Sequence, residues 1–271
     1  MKFDRTRNVE ISAIVNMTDD SFFSGSRYMG SDISSVIATL LDEGASSIDI
    51  GACSTRPGSA YVSPEQEWER LFPALDAVRR HFPHTRVSVD TFRADIVRKV
   101  FDTIGPFVVN DISAGEEDAG MLRTVADLGL EYIAMHKRGV PSSMQSLTDY
   151  GEEGVVAAVR RYFEEFTLKA EDAGIREWAL DPGFGFAKTV EQNYELLEGL
   201  PTLAELGHRL YVGVSRKSFI YKPLGLTPET CLEETQKVHM RALELGADIL
   251  RVHDVARTVR TLEDYRNGTP S

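Results

Sequence analysis

Ile11-Ser12-Ala13-Ile14-Val15-Asn16-Met17-Thr18-Asp19-Asp20-Ser21 (11–21) is the stretch that decides the fold. An apolar run stops on a carboxamide, Asn16, and a helical stripe follows at Ile33, Val36, Ile37, Leu40 and Leu41. That spacing is one buried face of a helix. An open, doubly wound sheet needs a switch point, usually marked by a glycine-rich phosphate loop directly after its first strand. Here the next glycine is Gly25. The first strand and helix therefore favour a parallel sheet that closes on itself.

The same grammar runs to the end of the chain. Eight short apolar runs stop at Asn16, Gly51, Asp90, Asn110, His136, Asp181, Ser215 and His253. A strand buried on both faces reads as such a run. The stops lie 20 to 45 residues apart, room for one strand, one crossover helix and their loops. Glycine separates helix from strand at Gly44, Gly105, Gly129, Gly174, Gly207 and Gly246, and Pro83 does so before Val87. Ser63-Pro64-Glu65-Gln66 predicts a capped helix start; Thr189-Val190-Glu191-Gln192 and Thr227-Pro228 give similar signals. Pro73, inside the second helix, predicts a kink or break. The fifth helix is expected to be the longest, with Val155, Val159, Phe163, Phe166 and Ala170 on its inner face. Right-handed crossovers then give an α/β fold, a single (β/α)8 TIM barrel forming one domain over 1–271, with its site at the C-terminal ends of the strands.

Composition narrows the function. The chain has 271 residues and a net charge of −12, which argues against a nucleic-acid surface built on clustered Lys and Arg. No apolar stretch approaches the roughly 20 residues of a membrane span. The first residues lack the apolar core of a signal peptide. Cys53 and Cys231 are expected to be reduced thiols in a cytoplasmic protein.

Seven of the eight stops are polar, and barrel strands converge at their carboxyl ends. Asp90, Asn110 and Asp181 suit a ligand rich in N–H donors, such as an amino-pterin or guanidine-like ring. Lys217, Arg251, His253, Thr55 and Arg56 gather cations and donors at one rim of an acidic protein, as a bound anion would require. Arg216 is expected to pair with an acid, Arg251 less so because it lies in an apolar run. Asn16 offers a carboxamide oxygen to Mg2+, with substrate phosphates and waters completing the shell. Asp181-Pro182-Gly183-Phe184-Gly185-Phe186-Ala187-Lys188-Thr189 fails the phosphate-loop pattern; it reads instead as a turn lifting Phe186 beside a flat ligand. His136 and His253 lack the spacing of a zinc centre, and no Ser-His-Asp arrangement stands out.

Eight motifs, in this order, resemble dihydropteroate synthase: Ile-Val-Asn-Met-Thr-Asp-Asp-Ser-Phe (14–22), Ser-Thr-Arg-Pro-Gly (54–58), Ser-Val-Asp-Thr (88–91), Val-Asn-Asp-Ile-Ser (109–113), Met-His-Lys-Arg-Gly (135–139), Leu-Asp-Pro-Gly-Phe-Gly-Phe (180–186), Ser-Arg-Lys-Ser-Phe-Ile (215–220) and Arg-Val-His-Asp-Val (251–255). The resemblance implies condensation of a dihydropterin pyrophosphate with para-aminobenzoate in a cytoplasmic homodimer. It implies that Asp90, Asn110, Asp181 and Lys217 hold the pterin, that Arg251 and His253 grip the pyrophosphate, and that Asn16 holds Mg2+. Thr55, Arg56, Pro57, Phe186 and Ser218 would lie around the substrates, with Asp90, Lys217 and Arg251 as the catalytic groups. Asp19 stands where the family usually has proline, Ala52-Cys53 where it has Gly-Glu, and Ala114 and Ala187 where it has glycine. A methyltetrahydrofolate:corrinoid methyltransferase barrel would share the Asp and Asn pattern without needing the anion site. A pterin-binding protein without turnover would share both.

Overall fold

The computed structural model describes residues 3–18, 32–53, 62–139 and 147–268. Eight parallel strands close in sequence order, β1 pairing with both β2 and β8. They are β1 (Glu10–Asn16), β2 (Ser47–Gly51), β3 (Arg86–Asp90), β4 (Val108–Asp111), β5 (Glu131–Met135), β6 (Trp178–Asp181), β7 (Arg209–Val212) and β8 (Ile249–Val252). Between them run α1 (Ile33–Asp42), α2 (Pro64–His81), α3 (Ala94–Ile104), α4 (Met121–Leu128), α5 (Gly154–Ala173), α6 (Val190–Glu198), α7 (Leu200–Ala204), α8 (Ser218–Tyr221) and α9 (Leu232–Glu244); α10 (Val255–Asn267) follows β8. This is the (β/α)8 barrel expected from the strand spacing.

Local chemistry explains most boundaries. Ser63 with Gln66, and Thr189 with Gln192, form reciprocal capping boxes that satisfy amides at the starts of α2 and α6. The predicted stripe of α5 is its buried set, Val155, Val159, Phe163, Phe166 and Ala170. All six separator glycines have positive φ, between 64° and 104°. Three expectations shift. α2 is one helix across Pro73. Thr227-Pro228 does not start α9: Thr227 and Thr230 close a turn through their hydroxyls and backbone, and the helix begins at Leu232. β7 stops at Val212, so Ser215 belongs to the following turn.

The two faces of the strands have opposite chemistry. Outward residues such as Ile11, Ala13, Ile48, Ile50, Val87, Val89, Leu210, Val212, Leu250 and Val252 join the main core under the helices. The alternate residues face the barrel axis. There Val108, Ile133, Ala179, Tyr211 and Ile249 form a separate small apolar cluster. Ser12, Ser47, Asp49, Ser88 and Asn110 are buried polar residues of the same axis. The interior is therefore polar from floor to mouth along β2 and β3, where the runs alternate rather than stay apolar. A cavity of about 230 Å3 opens at the opposite, N-terminal end, lined by Ser12, Ser47, Ser88, Tyr211 and the Arg86 and Arg209 ion pairs among others. Barrel chemistry sits at the other end.

Two alanines that stand where the resemblance implies glycine have a backbone consequence. Ala114 and Ala187 hold φ of 48° and 51°. Left-handed backbone costs an L-residue with a Cβ roughly 1–2 kcal/mol, while glycine returns about 0.4–1 kcal/mol of unfolded-chain entropy. Ala187 is also fully buried, and losing its methyl costs about 0.8 kcal/mol, so Ala187→Gly is expected to leave stability within about 0.5 kcal/mol of the parent, read as a near-parental urea midpoint at unchanged slope. A midpoint lower by more than that would show that the left-handed alanine carries little strain.

Candidate active site

Strand register assembles the mouth. Asp90 is the lateral partner of Gly51 on one side and Asn110 on the other, and Asp181 is the partner of Met135. Gly51, the one apolar stop, has a steric reason. A Cβ there would lie 3.2 Å from the Cβ of Asp90, closer than packed side chains tolerate without movement. Glycine leaves that space to the carboxylate.

Arg251 ties the mouth together. Its Nε donates to Asp49 Oδ2 at 2.6 Å and its Nη2 to Asp90 Oδ2 at 3.2 Å. Asp49 also accepts from Ser88 Oγ at 2.5 Å and from Asn110 Nδ2 at 3.1 Å. Burial pushes the Asp90 carboxyl up to about 7; Arg251 pulls it down, and Asp49 pushes it further up. Asp181 is likewise raised by burial, against the attraction of Lys217.

Lys217 lies within electrostatic reach of Asp181. Burial brings its ammonium down to about 8, Asp181 opposing and Arg251 adding repulsion. Its Nζ donates to Phe184 O and lies 5.0 Å from the Phe186 ring centroid. The Phe186 turn is held from behind by Lys188, whose Nζ donates to Gly183 O at 2.9 Å, Phe186 O at 3.0 Å and His136 Nδ1 at 3.1 Å. Burial lowers His136 well below its usual range, so a neutral ring accepts this bond. Gly183 is required there: with φ of +70°, its Cβ would fall 1.9 Å from His136 O.

The anion rim is thinner than the residue count predicts. Arg216 is bidentate to Asp254, at 2.9 and 2.7 Å, as expected. Arg251, expected to stay with the anion, is engaged by the carboxylates of Asp49 and Asp90. His253 stands at the rim, its Nδ1 3.0 Å from Ser215 Oγ. Asn16 ends β1 and Ser218 opens α8, and both are exposed. Thr55, Arg56 and Pro57, like Asp19, lie outside the described residues. The chain next to that loop is anchored: Arg93 donates to Val62 O at 2.7 Å and pairs with the buried Glu67, which also accepts from Thr91 Oγ1 at 2.7 Å. Beside it, burial pushes the Cys53 thiol up to about 12, which leaves it a poor nucleophile.

The described mouth thus gathers three carboxyl or carboxamide groups, one ammonium and one aromatic ring. Sequence reading missed Asp49 and Lys188. Asp49 lies two residues before a strand end, where only the alternation Ser47-Ile48-Asp49-Ile50-Gly51 marks it as inward-facing. Lys188 was read only as part of a failed phosphate loop.

Fold and mouth together define a (β/α)8 enzyme with its polar groups gathered at the C-terminal ends of the strands. The family model described as pterin binding enzyme matches residues 12–253. Dihydropteroate synthase of Synechocystis sp. is 40% identical over 93% of this chain and 88% of its own. The structure of Xanthomonas albilineans dihydropteroate synthase with 4-aminobenzoic acid superposes with TM-score 0.86 at 35% identity, covering 97% of this chain and 94% of that one. That of Yersinia pestis dihydropteroate synthase with a sulfonamide drug gives 0.89 at 33%, covering 99% and 96%. The chain belongs to the dihydropteroate synthase family of pterin-binding enzymes.

Proposed function

We propose that this mouth joins 6-hydroxymethyl-7,8-dihydropterin pyrophosphate to para-aminobenzoate, releasing 7,8-dihydropteroate and pyrophosphate. The observation that carries the reading is that Lys217, which donates to Phe184 O three residues after Asp181, shares the barrel mouth with Asp181, Asp90 and Asn110. Acceptors on Asp90, Asn110 and Asp181 match the N–H and amino groups of a pterin. Lys217 supplies a donor and a charge, and Phe186 an aromatic wall. Para-aminobenzoate would lie toward Phe186, Ser218 and the loop carrying Thr55, Arg56 and Pro57.

The attacking aryl amine is neutral at pH 7, so the hard step is departure of pyrophosphate. The methylene C–O bond breaks first and its electron pair leaves on pyrophosphate. The pterin ring shares the resulting positive charge, which Asp90 stabilises. The amine lone pair then forms the C–N bond and its proton passes to water. Lys217 and His253 favour the leaving charge.

Mg2+ suits the donor set only in part. Among the described residues no cluster of three His, Cys, Asp or Glu could hold it, and Asn16 offers one hard oxygen at the rim. That fits an ion whose remaining ligands are substrate phosphates and waters. When bound, Mg2+ would withdraw charge from the pyrophosphate.

We also read residues 1–271 as one pterin-binding domain of a cytoplasmic homodimer. No helix among the described residues is long and apolar enough to cross a membrane. Tyr194 and Leu224, 40% and 55% exposed, flank a surface hollow that could receive a second copy.

The test is turnover of the two substrates across pH. Asp90 must be ionised to accept and to stabilise positive charge, so kcat/KM for the pterin rises as pH climbs through about 7. Lys217 must keep its proton, so kcat/KM falls above about 8. Asp90→Asn should remove the acid limb. A flat profile with both substrates, or no dihydropteroate, would end the reading; pyrophosphate release that waits for the amine would end the dissociative order.

A further inference from the structure

Asp49 has no part in the chemistry above, yet three side chains converge on it. It is fully buried in the middle of β2, one inward position below the mouth. Its Oδ1 takes the Ser88 hydroxyl and the Asn110 amide nitrogen, and its Oδ2 takes Arg251 Nε. Of its upper partners, Asn110 belongs to the proposed pterin subsite and Arg251 pairs with Asp90 of that subsite.

The contact with Asn110 decides which end of that carboxamide the ligand meets. A carboxamide has one accepting and one donating end. Turning the Asn110 oxygen toward Asp49 would set oxygen against oxygen, so the nitrogen stays down and the oxygen points up. The contact with Arg251 uses Nε and so sets the plane of the guanidinium, which carries Nη2 to Asp90. One carboxylate below the mouth therefore orients two groups in it.

We propose that Asp49 is the positioning residue that makes this subsite an acceptor array, and so determines its preference for a ring edge carrying N–H donors over one carrying oxygens. Asp90 and Asp181 are acceptors whenever they are ionised; Asn110 becomes one only because Asp49 holds its nitrogen. A 2-amino ring satisfies the array. Its 2-oxo counterpart brings oxygen against oxygen, and buried acceptors left without donors are costly.

This inference rests on the proposed pterin subsite. Its test is calorimetric binding of 6-hydroxymethyl-7,8-dihydropterin pyrophosphate and of its 2-oxo analogue to the parent, Asp49→Asn and Ser88→Ala proteins, each checked for folding by circular dichroism. In Asp49→Asn the new amide both donates and accepts, so Asn110 is free to turn either way. The preference for the 2-amino ring should fall by about ten-fold, with the KM for para-aminobenzoate unchanged. Ser88→Ala loosens Asp49 from below while keeping its pair with Arg251. It should lower the preference in the same direction by about three-fold, and it carries the test if Asp49→Asn does not fold. A folded variant with the parental preference, or one that loses both ligands equally, overturns the inference. A parent that binds neither ligand overturns the pterin subsite instead.

Discussion

Lys217→Ala is expected to lower kcat/KM for the pterin pyrophosphate by about a hundred- to a thousand-fold, the scale of losing one preorganised donor at a developing charge. The ammonium is held on three sides, by Phe184 O, the Phe186 ring and the field of Asp181. It is preorganised, and its burial strengthens every charge interaction it makes. Lys217→Arg should not restore activity. A Cβ on Gly185 would already lie 3.3 Å from Lys217 Cδ, and a planar guanidinium needs more room than a point ammonium. Steady-state and single-turnover rates would check this. Alanine activity within three-fold of the parent would remove Lys217 from the catalytic groups.

Arg251→Ala is expected to give the largest loss of stability. It would leave Asp49 and Asp90 buried together without their shared cation. Breaking a buried ion pair from one side costs about 3–5 kcal/mol; the Arg251 side chain is still 22% exposed, so we expect about 3 kcal/mol, the lower end. The loss should depend on pH with a definite sign. Asp90 is raised in the folded state, so the folded protein holds that proton more tightly than the unfolded chain does. Its stabilising contribution is complete below the unfolded value near 4 and disappears as pH rises through about 7. Without Arg251 the carboxyl rises further, and the variant should be more destabilised at pH 8.5 than at pH 5.5. Urea unfolding at the two values measures this. Adding Asp90→Asn should recover part of the loss at the higher pH. Equal destabilisation at both pH values would mean that Arg251 acts through packing alone.

Particular residues mark how far a linear reading reaches. Asp90, Asn110 and Asp181 were legible because each follows an apolar run, and a run that ends at the barrel mouth has only one place to put its next side chain. The capping boxes at Ser63 and Thr189 were legible because both partners lie within one helical turn. Thr227 misled because the same hydroxyl chemistry also closes a turn. Lys188 was not legible: its three partners lie on two loops, and nothing in its neighbours distinguishes a buried lysine from a solvated one.

The order of elements, their caps and the identity of the groups at each strand end follow from short-range rules. Propensity, periodicity and capping act over a few residues and can be read along the chain. The wiring of the mouth does not follow from them. Arg251 and Asp49 are 202 residues apart, and Arg251 and Asp90 are 161 apart. Their contact exists only because the eighth strand closes against the first. Closure decides which cations are held by carboxylates, because inside the barrel the energy of a charge depends on neighbours that sequence order does not name.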